Sequence, residues 1–354
     1  MVLSSGVGHR PTNDRAAHRA HLRLGACLRA CPAVAVAFSF AFAFAACGGE
    51  SAAARTGVDP DSAPPADTRA RSVALTFDDL PGVFLDTSFA TARAANEELV
   101  ASLERAHAHA TGFVNEDKLR GSDERVALLE LWLDRALDLG NHTWGHPDLH
   151  RIPLADYQDA VLRGEVVTRR IMSERGTAPR FFRHTFLHTG RDTATRNTFE
   201  RFLAAHGYRV APVTLDNYDY VWARAYDRAL TDGDSAAALR VARGYVAYMD
   251  TVFGFYEAQS RTLFGREPAQ VLLLHVNRLN AEHMDALLGM IDRRGYRVVP
   301  LDVALEDPIY ESADGYTGAA GLTWLHRWAI TRGTPGSAFA GEPGVPAWIE
   351  RLND

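Results

Sequence analysis

The run VALTFDD, residues 73–79, decides how the chain is read: five residues of apolar or β-prone character lead straight into two adjacent acids. A short apolar run bounded by charge predicts a buried strand rather than a helix. Just downstream, Phe89, Ala92, Leu99 and Leu103 recur at helical spacing and predict a helix over 89–106. The same unit then repeats. Strands are expected at 110–114, 140–143, 180–183, 208–214, 271–275 and 296–300, and helices at 125–139, 154–173, 193–206 and 281–294. Regular β/α alternation predicts an α/β fold with a parallel sheet, open or closed into a barrel, and function at the carboxyl ends of the strands. Two regions break the rhythm. Residues 221–268, helical from Ser235 to Phe264, are either an excursion over the active face or an oversized barrel helix. Residues 307–354 are punctuated by Gly and Pro and carry Trp324, Trp328 and Trp348, which are expected to be core packed against the body.

Composition narrows the chemistry. The 354 residues are 47% hydrophobic and 23% charged, which excludes a disordered chain or a disulfide scaffold. A net charge of -6 gives no footprint for nucleic acid. Of the 38 basic residues only Lys118 is lysine, a bias that reads as genome composition and carries no functional weight at this stage. The three cysteines, Cys27, Cys31 and Cys47, all precede residue 48, so downstream chemistry must come from oxygen and nitrogen side chains.

The amino-terminal 46 residues set five arginines against the single acid Asp14 and end in a fourteen-residue apolar run, Ala33 to Ala46. That run is shorter than the roughly 20 residues a membrane-spanning helix needs, and it predicts an export signal. Ala45-Ala46-Cys47-Gly48 resembles the lipobox of bacterial lipoproteins, with Phe44 where leucine is usual. The expectation is therefore a lipidated Cys47, a flexible tether over 47–71, and an exported, membrane-anchored protein of the cell envelope or periplasm. The alternative is an ordinary signal peptide cut after Ala43-Phe44-Ala45. Loss of the leader would leave a net charge of about -10.

Five short motifs carry the chemistry. Thr76-Phe77-Asp78-Asp79 closes the first strand, where a turning chain can bring two neighbouring carboxylates to one site in different roles. His142-Thr143-Trp144-Gly145-His146 places two histidines four apart, able to meet one cation from a helical turn and, with a carboxylate, to leave coordination positions open. His150, His184 and His188 are competing ligands. Arg183-His184-Thr185-Phe186, Asp216-Asn217-Tyr218-Asp219-Tyr220 and Leu273-Leu274-His275 close three further strands. No nucleophile elbow, phosphate loop or dinucleotide fingerprint occurs, so no nucleotide cofactor is expected.

In this order the five motifs resemble the polysaccharide deacetylase family, the carbohydrate esterases with a NodB homology domain, over about residues 72–300. The resemblance implies a distorted (β/α) barrel of seven or eight strands, here 72–306, that hydrolyses acetyl groups from N- or O-acetylated sugars. It implies one divalent metal, zinc foremost with cobalt, nickel or manganese as alternatives, held by Asp79, His142 and His146. Asp78 would be the general base, paired with Arg183, and His275 the general acid, oriented by Asp219. Phe186 would offer its main-chain N–H to the oxyanion, while Leu273 and Tyr220 would line the acetyl pocket. Departures from the family pattern are Thr185 in place of proline, which predicts a less rigid loop, Leu80-Pro81 after the acid pair, and Tyr220 in place of tryptophan. An open groove flanked by Tyr218, Tyr220 and Trp222 would suit a polymer such as peptidoglycan. A pocket capped by 221–268 would suit a small amide or cyclic imide. A carbohydrate-binding lipoprotein with a dead site would lack a base or a ligand, and this chain lacks neither.

Overall fold

The computed structural model describes residues 71–354; the leader, Cys47 and residues 47–70 of the tether lie outside them. Seven parallel strands form one sheet: β1 (Arg71–Leu80), β2 (Ala110–Val114), β3 (Asp138–Asn141), β4 (Phe181–Phe182), β5 (Arg209–Val210), β6 (Gln270–His275) and β7 (Tyr296–Val298). The order is β5-β4-β3-β2-β1-β6, with β7 beside the first residues of β1. Beyond β5 the chain curls back to β6, where Leu215 bridges Leu272 and the Leu273 N–H donates to the Leu215 carbonyl at 3.0 Å. That seam closes the sheet into a distorted (β/α) barrel.

Strand β1 shows how the barrel positions its chemistry. Side chains alternate along a strand, and Val73, Leu75 and Phe77 join Leu99, Leu103 and Trp132 in the large helix-facing core. Ala74 instead joins Phe113, Phe181, Ala211 and Val271 in a small separate cluster. One step further along that second face, the Thr76 hydroxyl accepts from Arg183 Nη2 at 2.9 Å. Asp78 is the third step. The interior thus passes from apolar to polar to acidic along a single strand.

Helices α1 (Phe89–Arg105), α2 (Asp123–Asp134), α3 (Leu154–Arg163), α4 (Val166–Ser173) and α5 (Thr193–Ala205) connect the first five strands. The single helix expected over 154–173 is divided at Gly164, where a Cβ would meet the Thr143 carbonyl carbon at 2.4 Å. Region 221–268 holds α6 (Asp219–Thr231) and α7 (Ser235–Phe264), which pack on each other and on α8 (Arg278–Arg293). It is a helical hairpin in the outer layer, with Tyr245, Val252, Phe253 and Tyr256 buried. After the short α9 (Leu301–Ala304), α10 (Trp324–Thr331) packs on α7 and α11 (Ala347–Leu352) on α6. Trp324 and Trp328 are buried. Among the described residues no helix is long and apolar enough to cross a membrane.

Candidate active site

The two acids meet through a bulge rather than a strand end. The β1–β2 register shifts between Phe77 and Leu80, and Asp79 sits in the left-handed region at φ +68°. This turns both carboxylates toward the barrel mouth. Asp78 is also the register neighbour of His275 across the β1–β6 pair.

Asp78 is buried, with Oδ1 3.3 Å from Arg183 Nη1. Arg183 is itself held on every side: Nε donates to the Ala211 carbonyl at 2.9 Å, and its guanidinium lies 4.7 Å from the Phe113 ring centroid. Burial pushes the Asp78 carboxyl above its ordinary value, and Arg183 offsets only part of that rise.

Asp79, His142 and His146 bring ligand atoms within 4.8 Å of one another. The Asp79 Oδ1 lies 3.7 Å from His142 Nε2 and 3.8 Å from His146 Nε2. It is buried and has no hydrogen-bond partner. His142 Nδ1 faces the Arg183 carbonyl at 2.9 Å and must carry its proton there, so Nε2 presents a lone pair. Burial lowers both imidazoles to about 4, so they are neutral near pH 7. A buried, unsatisfied carboxylate oxygen facing neutral imidazole nitrogens fits a divalent cation. The loop that carries the two histidines is not the expected helical turn: Thr143, Gly145 and His146 have φ of +72°, +78° and +49°. Left-handed backbone at a β-branched residue is costly and persists only where surrounding contacts enforce it. Here the Asn141 side chain accepts from the Thr143 N–H at 2.7 Å, and the Trp144 N–H donates to the Ala160 carbonyl at 2.8 Å.

The other oxygen of Asp79 has a partner that sequence reasoning missed. Lys118 Nζ lies 3.2 Å from Oδ2 and 3.3 Å from the Asp79 carbonyl. Burial alone would raise the Asp79 carboxyl, but Lys118, then His146 and His142, outweigh it and hold the group well below the usual carboxylate range. The signal was present in the composition, because the single lysine of an arginine-rich chain stands here.

On the opposite side His275 Nδ1 meets Asp219 Oδ1 at 2.7 Å, and the His275 N–H donates to Asp219 Oδ2 at 2.7 Å. Burial would lower the imidazole, but Asp219 raises it to about 9. Asn280 Nδ2 donates to Asp219 Oδ2 at 2.7 Å and to the His275 carbonyl at 2.8 Å, a support absent from the sequence reading.

The remaining expected residues divide. Phe186, at φ +55° and 39% exposed, lies with its ring 4.5 Å from that of His146. Tyr220 is exposed, its ring 5.7 Å from His275. Leu273 is buried in the strand that ends at His275. Trp222 does not flank the mouth: it is 1% exposed and packs edge-on against Trp348 at 5.6 Å, in the core. Nor does Thr185 leave its loop slack. Its hydroxyl donates to the Pro147 carbonyl at 2.5 Å and also meets the buried Tyr157 hydroxyl at 2.9 Å. His184 is buried against Phe182 and Phe199 and is not part of the Asp79, His142 and His146 group.

A barrel whose mouth gathers a buried base candidate, a carboxylate with two neutral imidazoles, and a carboxylate-backed histidine is the frame of a hydrolase. Residues 66–210 match the family model described as polysaccharide deacetylase. Among solved structures it is similar to the chitin deacetylase of the fungus Colletotrichum lindemuthianum, with 22% identity, 68% of this chain and 89% of that one covered, and a TM-score of 0.46. A peptidoglycan deacetylase from Bacillus subtilis shares 20% identity over 68% of this chain and 93% of that one, with a TM-score of 0.43. A pseudoenzyme of carbohydrate esterase family 4 from Bacillus anthracis shares 15% identity over 67% and 66%, with a TM-score of 0.42. No curated protein matches the chain.

Proposed function

We propose that the chain is a metal-dependent deacetylase acting on an N-acetylated, or alternatively O-acetylated, polysaccharide of the cell envelope. Peptidoglycan or another N-acetylhexosamine polymer is the preferred substrate. The observation that carries this reading is the division of labour across the mouth: Asp78 and His275 are register neighbours with opposite partners, a buried arginine and a buried carboxylate.

Asp79, His142 and His146 would hold the cation, zinc foremost. When bound, it polarises the acetyl carbonyl and lowers the pKa of water. Asp78, made more basic by burial and paired with Arg183, takes the proton from the attacking water. The main-chain N–H of Phe186 faces the developing oxyanion, a contact worth ~3 kcal/mol for such donors. His275, protonated up to about pH 9, delivers its proton to the departing sugar amine, which leaves poorly as an anion. Tyr220 and Leu273 border the acetyl group.

The placement of α6 and α7 in the outer layer favours a polymer over a small amide or cyclic imide, because the hairpin packs on α8 and α11. A non-catalytic carbohydrate-binding role is disfavoured by the complete set of base, acid and candidate ligands.

The test is acetate release from N-acetylglucosamine oligomers, peptidoglycan, acetylated xylan and small amides. Chelation should abolish release and zinc or cobalt restore it. Asp78→Asn and His275→Ala should each cost at least ~100-fold in kcat. Undiminished release in both variants would overturn the mechanism, and turnover confined to small amides would overturn the substrate class.

A further inference from the structure

We propose that Asp148, His150 and His188 form a second divalent-cation site, which clamps together the two loops that carry His146 and Phe186. Among the described residues two groups of three histidine or carboxylate side chains bring ligand atoms within 4.8 Å of one another, and this is the one not already assigned. His188 Nδ1 lies 2.7 Å from Asp148 Oδ1. The His150 and His188 rings stack with centroids 3.8 Å apart and planes 8° from parallel. The Gly190 N–H donates to His150 Nε2 at 3.3 Å, so that nitrogen carries the ring's lone pair and a cation bound there displaces the Gly190 contact, while Nδ1 is buried without a hydrogen-bond partner. The arrangement is partly enclosed, with side-chain exposures of 11% for His188 and 14% for Asp148.

A cation entering here takes the place of the proton between His188 Nδ1 and Asp148 Oδ1, and that proton moves to Nε2 of the same ring. Parallel stacked rings aim their lone pairs side by side, so one ring rotates about its Cβ–Cγ bond to converge on the ion. Two imidazoles and one carboxylate select a borderline cation such as zinc, nickel or copper over magnesium or calcium. The position gives the site its consequence. Asp148 and His150 follow His146 by two and four residues, and His188 follows Phe186 by two. The Phe186 ring lies between the two groups, 4.5 Å from His146 and 5.8 Å from His188. An ion there fastens the loop of a catalytic-metal ligand to the loop of the oxyanion donor.

Zinc is the probe. Full-length protein is stripped with a chelator, titrated with zinc against a chromophoric competitor, and its bound metal is counted by atomic emission. Wild type should bind two zinc ions per chain, whereas His188→Gln and His150→Gln should each bind one. His142→Ala/His146→Ala should also retain one, and zinc should raise the Tm of that double variant. One ion per wild-type chain that His142→Ala/His146→Ala removes, or two retained in His188→Gln, overturns the proposal. If His188→Gln loses both ions by misfolding, the double variant decides: one ion supports the second site and none overturns it. Stoichiometry is read without turnover, so failure of the deacetylase reading leaves this result intact.

Discussion

His275 and Asp219 make the pH behaviour of the site specific. The folded imidazole lies at about 9 against an ordinary 6.5, so the stabilisation from the pair is complete below about pH 6.5 and is lost as pH rises through about 9. If His275 is the acid, the alkaline limb of the kcat profile follows the same group. Asp219→Asn removes the charge that favours the imidazolium, and the limb should move to lower pH; a limb that stays in place assigns the acid elsewhere. Lys118 acts on the other carboxylate. Lys118→Met leaves Asp79 without its counter-ion and should destabilise the chelator-treated protein by ~1–2 kcal/mol. Calorimetry should show that gap narrowing once a cation neutralises the same carboxylate. The catalytic candidates were legible because each sits beside an apolar run that announces a strand. Lys118 stood out as the single lysine, but no motif around it ties it to Asp79, 39 residues away. Trp222 was misread from its nearness to Tyr220, but residues two apart on a helix do not share a face, and α6 turns Trp222 inward.

At the scale of elements, the strands that read most clearly were those with unbroken apolar runs. The expected strand over 208–214 contracts to Arg209–Val210, because Pro212 has no N–H to give a ladder. Its continuation pairs again at Thr214 and Leu215, whose N–H groups each lie 3.0 Å from the Val271 carbonyl. The histidine loop was legible in its residues but not in its shape, which depends on Gly164 and the Ala160 carbonyl, elements distant in sequence from the motif. The carboxyl-terminal segment touches the chemistry as well. A Cβ at Gly321 would meet the Phe186 carbonyl oxygen at 1.9 Å, and Arg327 donates to the Leu187 carbonyl at 3.3 Å. Gly321→Ala should therefore displace the oxyanion loop and lower kcat by ~10-fold or more, while zinc binding at Asp79, His142 and His146 persists. A variant with unchanged kcat would detach this segment from catalysis. Trp328→Ala tests packing rather than chemistry and should cost about 3–5 kcal/mol in denaturant unfolding.

For the whole molecule, the parallel sheet followed from β/α alternation and the barrel from the family resemblance, whereas closure depends on the seam between Thr214–Leu215 and β6, which no local pattern announces. The leader and Cys47 lie outside the described residues, so export and lipidation stand as proposals from sequence. Mass spectrometry of the protein from its native envelope should find a diacylglyceryl-modified Cys47 as the first residue; an unmodified amino terminus elsewhere overturns the lipoprotein assignment. The scarcity of lysine has one more consequence. Apart from the amino terminus, the primary amine at Lys118 is the sole one in 354 residues, and it lies against Asp79. A reagent selective for primary amines thus has one side-chain target in the whole protein, at the candidate active site, which makes covalent tagging a direct reporter of what occupies that site.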